Sequence, residues 1–233
     1  MNLLCLICAR KGSKGIKNKN MVSINNRKLI DITINQAISA KIFSKIVVST
    51  DSTKIQKYVN SKQKLSWFIR PKNLSGDKIS KLEVIKHGLF ASEKKFNINF
   101  DIICDLDVTA PLRIKSDIIK AYKKFVKLNN DILFSVCEAK KNPYFNMVEY
   151  SNNKTSLVKK LIKNVTSRQS APKVFEMNAS IYFWKRNALL KRKNLFGNNV
   201  GIYEMPRERS IDIDDYFDLS LVKNLIQYKK KIK

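Results

Sequence analysis

Short apolar runs alternate with stretches of helical periodicity along the first two thirds of the chain, and this alternation constrains the fold more than any other feature. Because most of the runs are continuously apolar, both faces of the corresponding strands are expected to be buried. The pattern predicts an α/β domain in three layers, in which a mostly parallel sheet carries helices on both faces. The predicted strands cover residues 3–9, 45–51, 65–69, 101–108 and 131–137, and the predicted helices cover residues 29–43, 53–61, 80–94 and 116–128.

The alternation stops near Glu138. Residues 138–177 are polar, rich in Asn and Lys, and interrupted by Pro143 and Pro172, which is typical of an excursion from a sheet. Strand patterns return at residues 179–184 and 201–205, and a helical pattern follows at residues 216–230. We therefore expect one domain over residues 1–233 with a small inserted arm at about 138–177.

The charge balance favours anionic partners. The 233 residues include 46 Lys+Arg and 19 Asp+Glu, which gives a net charge of +27. Nucleic-acid binding is an alternative function, and the net charge is its only support. The basic residues are spread over every segment and form no single block apart from the C-terminal tail, which weakens this alternative. Apolar runs stay below the ~18 residues of a membrane span, and the first ten residues have no positively charged n-region. We expect a cytoplasmic protein with no membrane partner.

Cysteine and histidine usage argues against disulfide and zinc chemistry. Cys5 and Cys8 are three positions apart in a predicted strand, so their side chains face opposite sides and cannot share one metal. Cys104 and Cys137 also lie in apolar runs, and all four cysteines are expected to be reduced core residues. His87, the single histidine, falls in a helical pattern and is expected to have a packing or surface role.

A basic loop with two glycines, residues 10–20, follows the first strand and is called the clasp below. It matches neither the P-loop nor the dinucleotide-binding pattern. Gly12 and Gly15 allow backbone N–H groups to approach phosphate oxygens. The clasp predicts a polyphosphate site, with a solvated basic loop as the alternative. Its cations are Arg10, Lys14, Lys17 and Lys19.

Two carboxylates near the end of the chain, Asp212 and Asp214, are called the acidic pair below. In an extended stretch, positions i and i+2 point to the same side, so the pair is predicted to converge on a hard cation such as Mg²⁺. The alternative is a helix N-terminus, where Asp214 or Asp215 would cap the helix beginning near residue 216. Both can hold if Asp215 is the cap.

Six motifs, taken in order, resemble those of the CMP-sialic acid synthetases (acylneuraminate cytidylyltransferases). The first four matching segments are Arg10-x-Gly12-Ser13-Lys14-Gly15-Ile16-x-x-Lys19-Asn20; Val48-Ser49-Thr50-Asp51; Ile69-Arg70-Pro71 with Leu74 and Asp77; and Thr109-Ala110-Pro111-Leu112-Arg113. The fifth combines Arg168-Gln169 and Pro172 with Asn178 and Ile181-Tyr182, and the sixth is Ser210-Ile211-Asp212-Ile213-Asp214 with Phe217-Asp218. The resemblance implies a Rossmann-like mixed sheet and a homodimer in which the arm is a contact. It also implies a Mg²⁺-dependent reaction, in which CMP passes from CTP to the anomeric hydroxyl of a nine-carbon keto sugar acid and pyrophosphate leaves.

The same resemblance implies roles for individual residues. Catalytic roles fall on Arg10, Lys19 and Asp214, and metal binding falls on the acidic pair. The implied nucleotide contacts are Arg10, Ser13, Lys14, Lys19, Asn20, Arg70 and Ser80. The implied sugar contacts are Asp107, Arg168, Gln169, Asn178 and Tyr182, with Arg168 as a bidentate partner of the sugar carboxylate. The sequence leaves open whether Asp214 or a metal-activated environment removes the proton from the sugar hydroxyl.

Two positions depart from the family pattern. Asp107 stands where Q-P-T-S-P-L-R has glutamine, and Ala179 stands where N-G-x-I-Y has glycine. Both changes resemble the bacterial legionaminic acid branch more than the sialic acid enzymes, with pseudaminic and eight-carbon keto acids as further alternatives. Asp107 shares a strand face with Asp105, so it either approaches the metal or caps the following turn; we favour a changed sugar pocket.

Overall fold

The computed structural model describes residues 1–61, 65–76, 79–161, 167 and 169–231, so the implied sugar contact Arg168 lies outside the described residues. The strands are β1 Leu3–Cys8, β2 Ser23–Ile24, β3 Arg27–Lys28, β4 Lys45–Thr50, β5 Ser66–Ile69, β6 Ile102–Leu106, β7 Ile132–Glu138, β8 Val148–Ser151, β9 Lys154–Leu157, β10 Phe175–Lys185 and β11 Val200–Glu204. The α-helices are α1 Leu29–Ala40, α2 Thr53–Asn60, α3 Lys81–Phe96, α4 Lys115–Lys127, α5 Arg186–Lys191 and α6 Tyr216–Lys231.

In the described part of the chain, the main sheet has seven strands in the order β11-β7-β10-β6-β1-β4-β5. Strand β10 is antiparallel to its neighbours β6 and β7, and the other pairs are parallel. The predicted mixed, mostly parallel sheet is therefore confirmed. The parallel strands β1, β4 and β6 end at the same edge, where ligands of open α/β sheets bind.

Helices cover both faces of this sheet. Alternate residues of β1 enter different layers: Leu3, Cys5 and Ile7 pack with α1, α2, α4 and α6, whereas Leu4 and Leu6 pack with α3 and α5. This alternation follows from the period of two along a strand, and the continuous apolar run is explained by burial on both sides.

The two small hairpins lie outside the main sheet. The hairpin of β8 and β9 falls between β7 and β10, within the segment predicted as an arm. The hairpin of β2 and β3 directly follows the clasp and was not predicted, although its turn carries a signal. Asn25 and Asn26 have φ of 48° and 63°, which a two-residue type I′ turn requires and which Asn tolerates.

The prediction of buried cysteines is confirmed for three of the four, whereas Cys8 at the end of β1 lines a cavity, and the predicted packing role of His87 is confirmed. All four cysteines are free; Cys5, Cys104 and Cys137 are buried, and Cys8 is half-buried. His87 lies in α3 and packs edge-on against Phe68, with ring centroids 5.5 Å apart. Among the described helices, none has the length and apolar character needed to cross a bilayer.

Candidate active site

A cavity of about 550 Å³ lies at the carboxyl ends of β1, β5 and β6. Both groups of residues that the sequence singled out as ligands of a charged substrate open into it. Its polar and charged lining residues include Arg10, Ser13, Lys14, Lys19, Asn20, Arg70, Lys81, Asp107, Thr109, Asp212 and Asp214. The structure thus brings together all but one of the implied nucleotide contacts.

The clasp is held in shape by its own backbone and by neighbouring loops. Asn18 has φ of 56° and precedes a 3₁₀ turn at Lys19–Met21. Buried Asn20 donates from Nδ2 to the carbonyl oxygen of Arg10 at 3.0 Å, which ties the two ends of the clasp together. The backbone N–H of Lys11 donates to Asp51 Oδ1 at 2.7 Å. Asn20 therefore lines the cavity while its amide also fixes the position of Arg10.

The clasp packs directly on the acidic pair. A Cβ added at Gly15 would overlap the carbonyl oxygen of Asp214, so only glycine permits this approach. Lys19 Nζ donates to the carbonyl oxygen of Ile213 at 2.6 Å and lies 3.1 Å from Asp214 Oδ1. Two segments about 200 residues apart in the chain therefore form one wall of the cavity.

The acidic pair is fastened to the end of β6 and kept separate from the helix cap. The N–H of Ile213 donates to the carbonyl oxygen of Thr109 at 2.9 Å. Asp215 Oδ1 accepts from the N–H of Asp218 at 3.0 Å, which makes Asp215 the cap of α6. Asp212 and Asp214 are left to face the cavity. This agrees with the prediction in which Asp215 caps the helix and the acidic pair does not.

Asp212 is the more unusual of the two carboxylates. Burial raises its pKa to about 6, with the negative charges of Asp107 and Asp214 acting in the same direction and a hydrogen bond from Thr109 opposing them. Its Oδ1 atom is buried and, within the described ranges, has no hydrogen-bond partner. Asp214 is largely exposed.

This donor set fits a small hard cation. The unpaired Oδ1 of Asp212 and the exposed carboxylate of Asp214 are the oxygen ligands that Mg²⁺ prefers, and Mg²⁺ takes few carboxylates when substrate phosphates and waters complete its shell. Across the described residues, no group of three or more His, Cys, Asp or Glu side chains is arranged to hold a metal ion. A cation at the acidic pair would therefore depend on ligands from the substrate.

Arg70 enters the cavity from the end of β5 and is itself buried. Its Nε donates to Ser49 Oγ at 3.1 Å and its Nη2 donates to the carbonyl oxygen of Ser49 at 2.9 Å. These bonds to β4 fix the guanidinium at the cavity wall. The motif Val48-Ser49-Thr50-Asp51 thus supports the arginine of the following motif.

A charged cluster around Lys81 was missed by the sequence analysis. Lys81 Nζ lies 2.7 Å from Asp105 Oδ2 and 2.7 Å from Asp107 Oδ2, and 4.8 Å from the centre of the Tyr182 ring. Asp107 Oδ1 also accepts from the hydroxyl of Thr109 at 3.1 Å. Asp107 therefore caps the turn after β6, which is one of the two alternatives predicted for it. A lysine at the start of a helix gives no sequence signal for contacts with a strand more than twenty residues away.

The two carboxylates of this cluster respond differently to their surroundings. Burial raises the pKa of Asp105, assisted by the charge of Asp107 and opposed by Lys81. Burial also acts to raise the pKa of Asp107, but the Lys81 ammonium and hydrogen bonds from Lys81 and Thr109 outweigh it, and the pKa lies below its usual value.

Arg113 of the Thr109–Arg113 motif is buried and has a structural role. Its Nη1 donates to the carbonyl oxygen of Ser180 at 2.6 Å, and its Nη2 donates to the carbonyl oxygen of Asp107 at 3.1 Å. The guanidinium joins the segment after β6 to the middle of β10 and so positions Asp107.

The four implied sugar contacts within the described residues (Asp107, Gln169, Asn178 and Tyr182) do not gather at one place. Tyr182 lies with Ser80 in an adjoining pocket of about 270 Å³ lined mainly by apolar residues, and Ser80 Oγ accepts from the N–H of Leu82 as the cap of α3. Gln169 is exposed and lines a separate depression of about 220 Å³ in the arm. Of the described members of this set, Asp107 alone opens into the main cavity.

Asn178 is buried in a bulge of β10 and its amide is used internally. Its Oδ1 accepts from Ser135 Oγ at 2.6 Å, and its Nδ2 donates to Ser210 Oγ at 2.9 Å. The next residue, Ala179, has φ of 48°, in the left-handed region that favours glycine. The family's glycine at this position is thus explained by the backbone of the bulge.

Fold and cavity together define an α/β protein whose site suits a phosphate-rich, anionic ligand. The chain belongs to the cytidylyltransferase family, which matches residues 4–231. This confirms the resemblance that the six motifs carry.

Two relatives and one solved structure are similar to this chain. It is 44% identical over 227 residues to CMP-N,N'-diacetyllegionaminic acid synthase of Campylobacter jejuni subsp. jejuni serotype O:2, covering 97% of this chain and 96% of that protein. It is 43% identical, with the same coverage, to post-translational flagellin modification protein B of Campylobacter coli. The structure of CMP:2-keto-3-deoxy-manno-octonic acid synthetase complexed with CTP superposes with a TM-score of 0.70 at 14% identity, covering 98% of this chain and all of that one. That likeness establishes the shared fold.

Proposed function

We propose that this cytidylyltransferase transfers CMP from CTP to the anomeric hydroxyl of a nonulosonic acid of the legionaminic or sialic type and releases pyrophosphate. The observation that carries the proposal is the packing of the clasp against the acidic pair at one cavity, through Gly15 and Lys19. Phosphate-binding cations and metal-binding carboxylates are both needed at a nucleoside triphosphate. Here they meet at the edge of the sheet where such ligands bind.

The cavity residues supply positioning and charge neutralisation, which dominate catalysis of phosphoryl and nucleotidyl transfer. Arg10, Ser13, Lys14 and Lys19 surround the triphosphate and offset the charge of the departing pyrophosphate. Arg70 and Asn20 hold the nucleoside end. Lys19 also keeps Asp214 in place through their 3.1 Å ion pair.

We assign Mg²⁺ binding to Asp212 and Asp214. When bound, Mg²⁺ neutralises phosphate oxygens and acts as a Lewis acid at the transferred phosphate. The chain's own contribution is the placement of two carboxylates, one buried and one exposed, against the phosphate-binding clasp. The fastening of Ile213 to Thr109 sets their direction.

The acceptor is assigned from the relatives and from the departures in the sequence. A relative 44% identical over almost its whole length is named for a legionaminic acid substrate. Asp107 and Ala179 depart from the sialic acid pattern in the same direction. The sugar carboxylate is assigned to Arg168, with Gln169 beside it in the chain.

A homodimer is part of the proposal. Tyr182, Asn178 and Gln169 occupy three different surroundings within one chain, which suits an acceptor site completed by a second copy. The arm hairpin carries exposed apolar side chains at Val148 (63% exposed) and Tyr150 (71% exposed) that suit a subunit contact. Light scattering after size exclusion tests this: a V148D/Y150D variant should be monomeric where the unmodified chain is dimeric.

The test of the proposal is pyrophosphate release from CTP with a panel of acceptors: legionaminic, sialic, pseudaminic and eight-carbon keto acids. We expect Mg²⁺-dependent release that is fastest with a legionaminic-type acid. Release with only the pseudaminic or eight-carbon acid would move the assignment to those substrates. Salt-sensitive binding of arbitrary DNA without any pyrophosphate release would favour the nucleic-acid alternative instead.

A further inference from the structure

Lys81 occupies a junction between two spaces. It is the first residue of α3, and it lines both the main cavity and the adjoining pocket that contains Tyr182. Its side chain is 39% exposed, and its ammonium is held between two carboxylates and above an aromatic ring. A lysine that only anchored a helix would not need to face the substrate cavity.

The two carboxylates that Lys81 contacts place negative charge beside a cavity proposed to bind an anion. Asp105 lies in β6 with its side chain completely buried, and Asp107 follows two positions later on the same face. A buried carboxylate is destabilising unless a cation or hydrogen bonds compensate it. Asp107 also lines the same cavity as Asp212 and Asp214, so three carboxylates face one space.

The ligands that enter this cavity under the proposed function are themselves anionic. The family pattern has an uncharged glutamine where this chain has Asp107. An uncompensated aspartate there would repel the triphosphate and the sugar carboxylate over a few ångströms of poorly screened space. The Lys81 ammonium, 2.7 Å from both Asp105 and Asp107, reduces the negative charge at this position.

We propose that Lys81 is a positioning residue whose ammonium offsets part of the negative charge of Asp105 and Asp107, so that the cavity wall accepts a nucleoside triphosphate despite the aspartate at position 107. This inference rests on the proposed function. It predicts that the need for Lys81 disappears when the charge at position 107 is removed.

The experiment measures CTP binding by isothermal titration calorimetry without any acceptor sugar, so that the sugar's own contacts with Asp107 do not enter. The variants are K81Q, K81R, D107Q and the double variant K81Q/D107Q. K86Q is the matched control, because Lys86 lies on the same helix and pairs with surface Glu83 outside the cavity.

We expect K81Q to weaken CTP binding about 10-fold or more and K86Q to leave it unchanged, because loss of one close charge compensation is worth roughly a factor of ten. K81R should retain binding within about 3-fold, since the charge is kept. K81Q/D107Q should recover to within about 3-fold of the unmodified chain. Failure of D107Q to rescue K81Q would overturn the inference, because a purely structural lysine is not rescued by removing its partner.

If K81Q does not fold, CTP binding by the D107Q single variant still tests the inference. Removing one carboxylate beside Lys81 should tighten CTP binding or leave it unchanged, and weaker CTP binding would contradict the inference. Absence of CTP binding by the unmodified chain would instead reject the proposed function. The two failures are therefore distinguishable.

Discussion

The proposed nucleotide side and the proposed acceptor side of the site are built differently. On the nucleotide side, residues from the clasp, from the end of β5 and from the acidic pair line one cavity within a single chain. On the acceptor side, Tyr182, Asn178 and Gln169 lie in an adjoining pocket, in a buried bulge and in the arm. Residues of one chain therefore suffice to line the proposed nucleotide site, whereas the described residues of the proposed sugar site are dispersed, which is why the arm of a second copy is part of the proposal.

The largest effect is expected from the acidic pair, which belongs entirely to the nucleotide side. D214N should lower turnover about 100-fold or more while leaving thermal unfolding nearly unchanged, because the exposed carboxylate supports the proposed cation and not the core. Pyrophosphate release and calorimetry measure the two quantities. Full activity with normal Mg²⁺ dependence in this variant would refute the metal assignment.

The contact between clasp and acidic pair can be broken without changing any charge. G15A places a methyl group against the Asp214 carbonyl oxygen, and such overpacking costs about 1–3 kcal/mol. CTP affinity should fall roughly 10- to 100-fold. G12A is the matched control, because nothing lies within 4 Å of a Cβ at Gly12. Equal CTP affinity in both variants would mean that the packing at Gly15 is irrelevant to the nucleotide.

Steady-state kinetics should distinguish the proposed acceptor side from the proposed nucleotide side through separate KM values for the sugar acid and for CTP. R168A should raise the KM for the sugar acid about 10-fold or more and change the KM for CTP by less than about 3-fold, because a charged hydrogen-bonded pair with a carboxylate is lost. K154A, an exposed lysine in the arm strand β9, serves as the control. Equal rises in both KM values would reject a carboxylate-binding role for Arg168.

The smallest effect concerns stability on the acceptor side. A left-handed backbone conformation costs a non-glycine residue roughly 1–2 kcal/mol, and Ala179 has φ of 48°. A179G should therefore increase the free energy of unfolding by about 1 kcal/mol or less, after the entropy cost of glycine. Chemical denaturation measures this change, and a destabilised variant would contradict the strain argument.

Most of the fold could be predicted, because its signals are local. The apolar period of β1 and the helical spacing of α1 were sufficient for the sheet and its layers, and the sequence places the clasp at a strand end. The hairpin of β2 and β3 escaped prediction because its strands have two residues each. Its Asn25-Asn26 turn was the available signal.

The site could be predicted where the family motifs are contiguous and not where contacts are distant. The clasp and the acidic pair were identified from their spacing, whereas Lys81 was missed because its partners Asp105 and Asp107 lie on another element. The motif implied that Asn178 contacts the sugar, yet its side-chain amide forms hydrogen bonds with Ser135 and Ser210 inside the protein. A motif identifies a position but does not say whether the side chain faces a substrate or the protein.

A crystal structure of the chain with CTP and Mg²⁺ tests the central claim most directly. We expect the phosphates to lie between residues 10–20 and the carboxylates of Asp212 and Asp214. Density for the triphosphate outside the 550 Å³ cavity, or with the two carboxylates turned away from it, would contradict the account.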